Sequence, residues 1–340
     1  MKSMNHNIMY RFSINLFFLF FLGLCSLSFS QNPMEPKTPK STLLPEKTDF
    51  SENVVYKTDE KGNSLHLDIY RPKNTPAENF PVVIYVHGGG WVGGDKIIHA
   101  DNYIENTILK LVEKKFAVIS IDYTLVSKDV HFPAPVNDTK DAVRWVRKNA
   151  GTYHFDTNNI GLFGASAGSH LSMLAAYTQD NEFVGAPELS GYSAKVSYVV
   201  NNFGPADLNK LLLTRIGRFP ASVVGLFSKE IVTLRENLIR GISGYEIKSD
   251  KRKVVDYFKT ISPITYADHA VPTLILQGNK DKIVPLKQSK QLQKALQKAN
   301  IKSSLTIVEE GNHGFRTTDK DDLNRLADEM VDFIVAQKIN

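Results

Sequence analysis

Cysteine is almost absent: the 340 residues contain one, Cys25. A disulfide framework is therefore excluded, and with 42% hydrophobic residues a chain of this length can bury a core large enough to do without one. Long hydrophobic runs are missing too. The most apolar stretch, Ile14 to Leu24, is about half of what a bilayer-spanning helix requires. There is no block of like charge and no zinc-finger spacing, which removes the usual grounds for nucleic-acid binding. No glycine-rich loop is followed by Lys-Ser/Thr, and no dinucleotide fingerprint is present, so nothing marks a nucleotide site. No internal repeat is visible.

The apolar stretch makes sense as a targeting signal. Lys2 and Arg11 precede it, and Ser28-Phe29-Ser30 places small residues where a signal peptidase reads. Residues 1–30 are expected to be a signal peptide cleaved after Ser30, which makes the mature protein secreted or periplasmic, with no stable membrane span and no thiol. Two alternatives stay open: an uncleaved anchor, and lipid attachment at Cys25. Leu22-Gly23-Leu24-Cys25 is only loosely similar to a lipobox, because the bulky Leu24 stands where that motif has a small residue. Removing Lys2 and Arg11 lowers the formal charge from +5 to about +3, a mildly basic surface. Residues 31–50, rich in Pro, Lys and Thr, read as a leader, and 51–340 as one domain.

Within that domain strands and helices alternate. Val54–Lys57 and Leu65–Tyr70 alternate or nearly alternate around Lys61-Gly62-Asn63, which predicts an antiparallel edge hairpin. His66 and Asp68 then fall on the face opposite Leu65, Leu67 and Ile69, and solvent exposure is expected for both. Apolar runs at 81–86, 116–121 and 272–277 predict buried strands, and 159–163, 196–202 and 304–308 read as further strands. Helical periods separate them at about 100–114, 138–150, 167–177 and 286–299, and a closing amphipathic helix carries Leu323, Leu326, Met330 and Ile334. This alternation predicts an α/β fold with a mainly parallel central sheet flanked by helices. Residues 208–266 are the least legible part: they read either as a small cap insertion or as extra packing helices.

Chemistry concentrates after the strands. Gly164-Ala165-Ser166-Ala167-Gly168 is a G-x-S-x-G turn between a strand and a helix, the arrangement that lifts a serine oxygen clear of a sheet. His87-Gly88-Gly89-Gly90-Trp91 ends the strand at 81–86, and three glycines leave backbone N–H groups uncovered, as an oxyanion requires. A serine hydroxyl needs a base, and the base needs a partner that fixes its tautomer. His313 and Asp281 each follow a predicted strand, and the order Ser166, Asp281, His313 suits this architecture. Asp207, after Gly204-Pro205, is the competing carboxylate and reads as a structural turn. His170, four residues beyond Ser166, reads as a packing or hydrogen-bonding residue, and His87 as a brace for the glycine loop. Trp91 either stacks on a sugar ring or fills the core.

Together with Gly93-Gly94-Asp95-Lys96, Gly204-Pro205-Ala206-Asp207 and Gly311-Asn312-His313-Gly314-Phe315, these motifs resemble the α/β-hydrolase fold esterases of the hormone-sensitive-lipase-like group, in style the bacterial acetylxylan and feruloyl esterases. The resemblance covers residues 53–338. It implies Ser166 as nucleophile, His313 as base, Asp281 as orienting carboxylate, and backbone N–H groups of Gly89, Gly90 and Ala167 as oxyanion donors, with the choice among the loop glycines open. Ser169 departs from relatives that often carry glycine there, and is expected to tighten helix packing. The implied activity is hydrolysis of acetyl or feruloyl esters on plant polysaccharides or their fragments, small-molecule or polymeric, with no metal or organic cofactor. A formamidase or peptidase on the same scaffold is the alternative, and a non-catalytic carbohydrate-binding protein the rival from another class.

Overall fold

The computed structural model describes residues 39–58, 62–73, 75, 79–215, 229–315 and 318–339. The signal peptide, its cleavage after Ser30 and the lipid reading at Cys25 lie outside the described residues. Among the described residues, no helix is long and apolar enough to cross a membrane.

Among the described residues, eight strands form one sheet: β1 (Thr48–Thr58), β2 (Ser64–Pro72), β3 (Phe80–Val86), β4 (Ala117–Ile121), β5 (Phe155–Ala165), β6 (Val199–Asn202), β7 (Thr273–Gly278) and β8 (Ser303–Val308). Their order is β1-β2-β4-β3-β5-β6-β7-β8. β1 pairs antiparallel with β2, and β2 antiparallel with β4. Every other pairing is parallel. The expected hairpin and the six further strands are therefore all present, although β8 at the sheet edge is mostly half-buried. Parallel strands need crossovers, and the helices that supply them cover both faces.

Alternation along β3 shows how one strand serves two cores. Val82, Ile84 and Val86 face one side, with Leu171 and Leu174 of helix Ala167–Tyr177 and Leu292 and Leu296 of helix Lys287–Lys298. Val83 and Tyr85 face the other, with Ile108 and Leu111 of helix Tyr103–Glu113 and Met330 and Ile334 of helix Lys320–Val335. All seven residues of β3 are buried, which is why its sequence is continuously apolar and shows no period of two.

The chain leaves β3 for β4 on one side and returns across it to β5 on the other. Loops after β3 and β5 thus lie side by side at the carboxyl ends of adjacent strands, the topological switch point where ligands bind in such sheets.

Two expectations differ from the structure. The leader was expected to run to residue 50, yet the chain is already folded onto the domain from residue 39. Ser41 N–H donates to the Ile98 carbonyl at 2.8 Å, Leu44 of helix Leu43–Lys47 is fully buried, and β1 starts at Thr48. The lack of an apolar period hid this, because the attachment is made by scattered contacts: buried Leu44, the Phe50 ring stacked on Tyr70, the Asp49–Arg71 ion pair and backbone hydrogen bonds. Asp68 was expected in solvent, but it is wholly buried beside Lys96. β2 is an interior strand covered on both faces, so alternation did not separate core from solvent there.

Residues 208–266 include a short helix, Leu208–Leu211, and helices Lys229–Ser243 and Lys251–Thr260. Their apolar residues Ile239, Ile242, Val254 and Phe258 are buried. They rest on the loop before helix Ala134–Lys148: Phe132 N–H donates to the Ile242 carbonyl, and Tyr257 Oη–H to the Phe132 carbonyl at 2.7 Å.

Candidate active site

Ser166 joins β5 to helix Ala167–Tyr177 with φ 53° and ψ −116°, a conformation costly for a residue with a Cβ. Its neighbours make the turn sterically feasible. A Cβ on Gly164 would collide with the backbone of Gly168 and Ser169, and one on Gly168 with the carbonyl oxygens of Val86 and His87. The turn is also held by hydrogen bonds, since Ser166 N–H donates to the Asn202 carbonyl at 2.9 Å. Ser169 does more than tighten packing. Its Oγ–H donates to that same carbonyl at 3.0 Å and its oxygen accepts the Asn202 N–H at 2.9 Å, which clips the helix to β6.

The structure brings together the three side chains that the strand-end positions singled out. His313 Nε2 lies 2.9 Å from Ser166 Oγ, and His313 Nδ1 lies 2.8 Å from Asp281 Oδ2. The Asp281 carboxylate can only accept, so in the neutral imidazole Nδ1 carries the proton and Nε2 presents its lone pair to the serine. Asp281 is fixed in turn. Its Oδ1 accepts the N–H groups of Ile283 and Val284, and its Oδ2 also accepts from Gln277 Nε2 at 2.8 Å. Gln277 is itself oriented by Ser289, whose hydroxyl donates to Gln277 Oε1. The imidazole of His313 has the edge of Phe203 against it, at 4.8 Å between centroids.

The competing carboxylate is elsewhere. Asp207 caps helix Leu208–Leu211, accepting the Lys210 N–H, and pairs with Lys210 Nζ at 3.1 Å. His170 is fully buried; its Nε2–H donates to the Ile261 carbonyl at 2.8 Å, and burial lowers its pKa to about 4. It is a packing and hydrogen-bonding residue, as expected.

The glycine loop lies against the nucleophile, for a Cβ on Gly88 would sit 3.5 Å from the Ser166 Cβ. His87 braces it. Nδ1–H donates to the Gly88 carbonyl at 2.7 Å, the ring stacks on Tyr123 at 4.2 Å, and burial holds its pKa below the usual histidine value. Gly89 and Gly90 have φ of 112° and 60°, backbone that glycine adopts without strain. Ala167 is the first residue of its helix, so its N–H has no intrahelical acceptor. Trp91 is buried, packed edge-on to Phe132 and His170, which places it as core filling.

Gln277, Phe203 and Asn202 were not singled out from the sequence. Gln277 had a signal, a polar residue at the end of an otherwise apolar strand. Phe203 and Asn202 had none, because their contacts to the site come from strand order.

A mainly parallel sheet with a serine on a sharp strand-to-helix turn and a histidine–aspartate pair at the ends of later strands defines the α/β-hydrolase class. Within that class the chain belongs to the BD-FAE family, whose profile matches residues 67–296. It is similar to Esterase LipC of Mycobacterium tuberculosis, 29% identical over 256 residues, covering 74% of this chain and 57% of that protein. The chain spans about half the length of the curated relatives it matches. Among solved structures it resembles a truncated carbohydrate esterase from gut microbiota, with a TM-score of 0.64 at 26% identity, covering 89% of this chain and 98% of that one. It also resembles the bifunctional GH43-CE protein of Bacteroides eggerthii, with a TM-score of 0.65 at 27% identity over 85% of this chain and 35% of that one.

Proposed function

We propose that the chain is a secreted serine carboxylic-ester hydrolase that removes acetyl or feruloyl groups from plant polysaccharides or their fragments. The observation that carries the chemistry is the continuous hydrogen-bonded path from Ser166 Oγ through His313 to Asp281. Family membership and the names of the similar proteins support an ester as substrate. The carbohydrate esterases among the similar structures and the signal-like start of the chain support a polysaccharide outside the cell.

In this reading His313 Nε2 takes the Ser166 proton as Oγ attacks the ester carbonyl. The tetrahedral oxyanion is held by backbone N–H groups of Gly89, Gly90 and Ala167. His313 then protonates the leaving alcohol, and water activated by the same nitrogen releases the acid. Asp281 keeps the proton on Nδ1 and stabilises the imidazolium formed in each half-reaction.

The first experiment is release of nitrophenol from 4-nitrophenyl acetate by the purified protein, beside Ser166→Ala at matched folding. Turnover by the wild type, and its loss by a factor of at least about 10³ in the variant, is the expected result. Turnover by neither protein overturns the ester reading and favours assays on formyl-aromatic amides. If the esterase result holds, acetylated xylan and feruloylated fragments test the polysaccharide part.

A further inference from the structure

The loop after β3 continues past its glycines to Lys96, where it closes on β2 through a buried ion pair. Lys96 Nζ lies 3.0 Å from Asp68 Oδ1, with Asp68 wholly buried and Lys96 nearly so. Asp68 Oδ1 also accepts the Asn53 N–H at 2.8 Å, whereas Asp68 Oδ2 is buried with no hydrogen-bond partner. The Lys96 backbone is fixed as well. Its N–H donates to Asp122 Oδ1 at 2.9 Å and its carbonyl accepts from Ser120 Oγ at 2.7 Å.

Between this anchor and the glycines the loop is folded tightly on itself. The Gly89 carbonyl accepts the N–H groups of Val92 and Gly93. Gly94, with φ 92°, sits so close to His87 Nδ1 and the Gly88 carbonyl that a Cβ would overlap both. A shift at Lys96 therefore has little slack in which to dissipate before it reaches Gly89 and Gly90. A buried pair with an unsatisfied carboxylate oxygen is a poor device for stability alone, since apolar residues of similar shape often do as well or better. What it supplies is a single fixed position for the end of the loop.

We infer that Asp68 and Lys96 are positioning residues, which set the height of the glycine loop over Ser166. The inference rests on the proposed ester-hydrolase reading, in which that loop donates to the oxyanion. Donors displaced by a fraction of an ångström lose more to the transition state than to the ground-state carbonyl. Loosening the anchor therefore lowers kcat and leaves KM nearly unchanged.

The test compares wild type, Asp68→Asn and the double variant Asp68→Leu/Lys96→Met. The double variant removes both charges, so that no lone ion is left buried if the single variant folds poorly. Competent sites are counted by stoichiometric labelling of Ser166 with a 4-nitrophenyl phosphonate, and kcat per labelled site is measured on 4-nitrophenyl acetate. The expected result is a fall in kcat of at least about 10-fold in both variants with KM within about twofold. Binding of a trifluoromethyl ketone, which mimics the tetrahedral species, is expected to weaken by the same factor as kcat/KM. A folded double variant with wild-type kcat per site and wild-type ketone binding overturns the inference and leaves the pair a structural one. Failure of the underlying reading is distinct: the wild type itself then neither turns over nor is labelled.

Discussion

His170 lies one helical turn beyond Ser166 and shows how a buried polar residue near the site acts without entering the reaction. Burial lowers its pKa to about 4 from the ordinary 6.5, so it stays neutral through the physiological range. Its folded-state pKa is depressed, so the unfolded chain takes up the proton first as the pH falls. The stabilisation is complete above about pH 6.5 and is lost progressively down to about pH 4, a swing of about 3 kcal/mol. His87, shifted in the same direction by burial, adds to the trend. Urea denaturation of His170→Gln between pH 4 and 7 is expected to show a flatter stability profile than wild type; an unchanged slope would rule out His170 as its source. Also at the residue scale, Gly168→Ala drives a methyl into the carbonyls of Val86 and His87. Its expected cost is on the order of 3 kcal/mol, read from the urea midpoint, together with loss of esterase activity.

At the scale of elements, the elbow helix is held by more than its apolar face. Ser169 serves both the N–H and the carbonyl of Asn202. Ser169→Ala leaves the buried Asn202 N–H without that acceptor, at an expected cost of about 1–3 kcal/mol in chemical denaturation. Ser166 N–H shares the same Asn202 carbonyl, so kcat is expected to fall alongside stability. A variant that loses stability with kcat unchanged would show that β6 and the nucleophile turn are not coupled through this residue.

Across the whole molecule, the antiparallel edge is tied to the parallel core by charge as well as by strand pairing. Lys57 on β1 pairs with Asp138 at 2.6 Å and Asp141 at 2.8 Å, both on helix Ala134–Lys148. Asp141 is also bound by Arg144. Lys57→Met leaves two buried carboxylates short of a partner and is expected to cost about 3 kcal/mol in thermal or urea unfolding. None of the hydrogen bonds of Lys57, Asp138 and Asp141 reaches Ser166, His313 or Asp281, so kcat of the folded variant is expected to match wild type. A large fall in kcat at full folding would place the network in the reaction instead.

The sequence alone determined the alternation of strands and helices, the strand-end positions of Ser166, Asp281 and His313, and the glycines around them. These are local properties: a buried strand must be apolar, the residues flanking a sharp turn must lack a Cβ, and a nucleophile must follow a strand. Only the tertiary structure decided the rest. It buried Asp68, because β2 is an interior strand and an alternating pattern carries no information about what covers each face. It folded residues 39–50 onto the domain, residues 39 and 41 by hydrogen bonds to residues 100 and 98 and Phe50 by stacking on Tyr70, partners that no local pattern names. It put Gln277, Phe203 and Asn202 around the site because strand order, set by packing across both faces of the sheet, chooses which strand ends become neighbours.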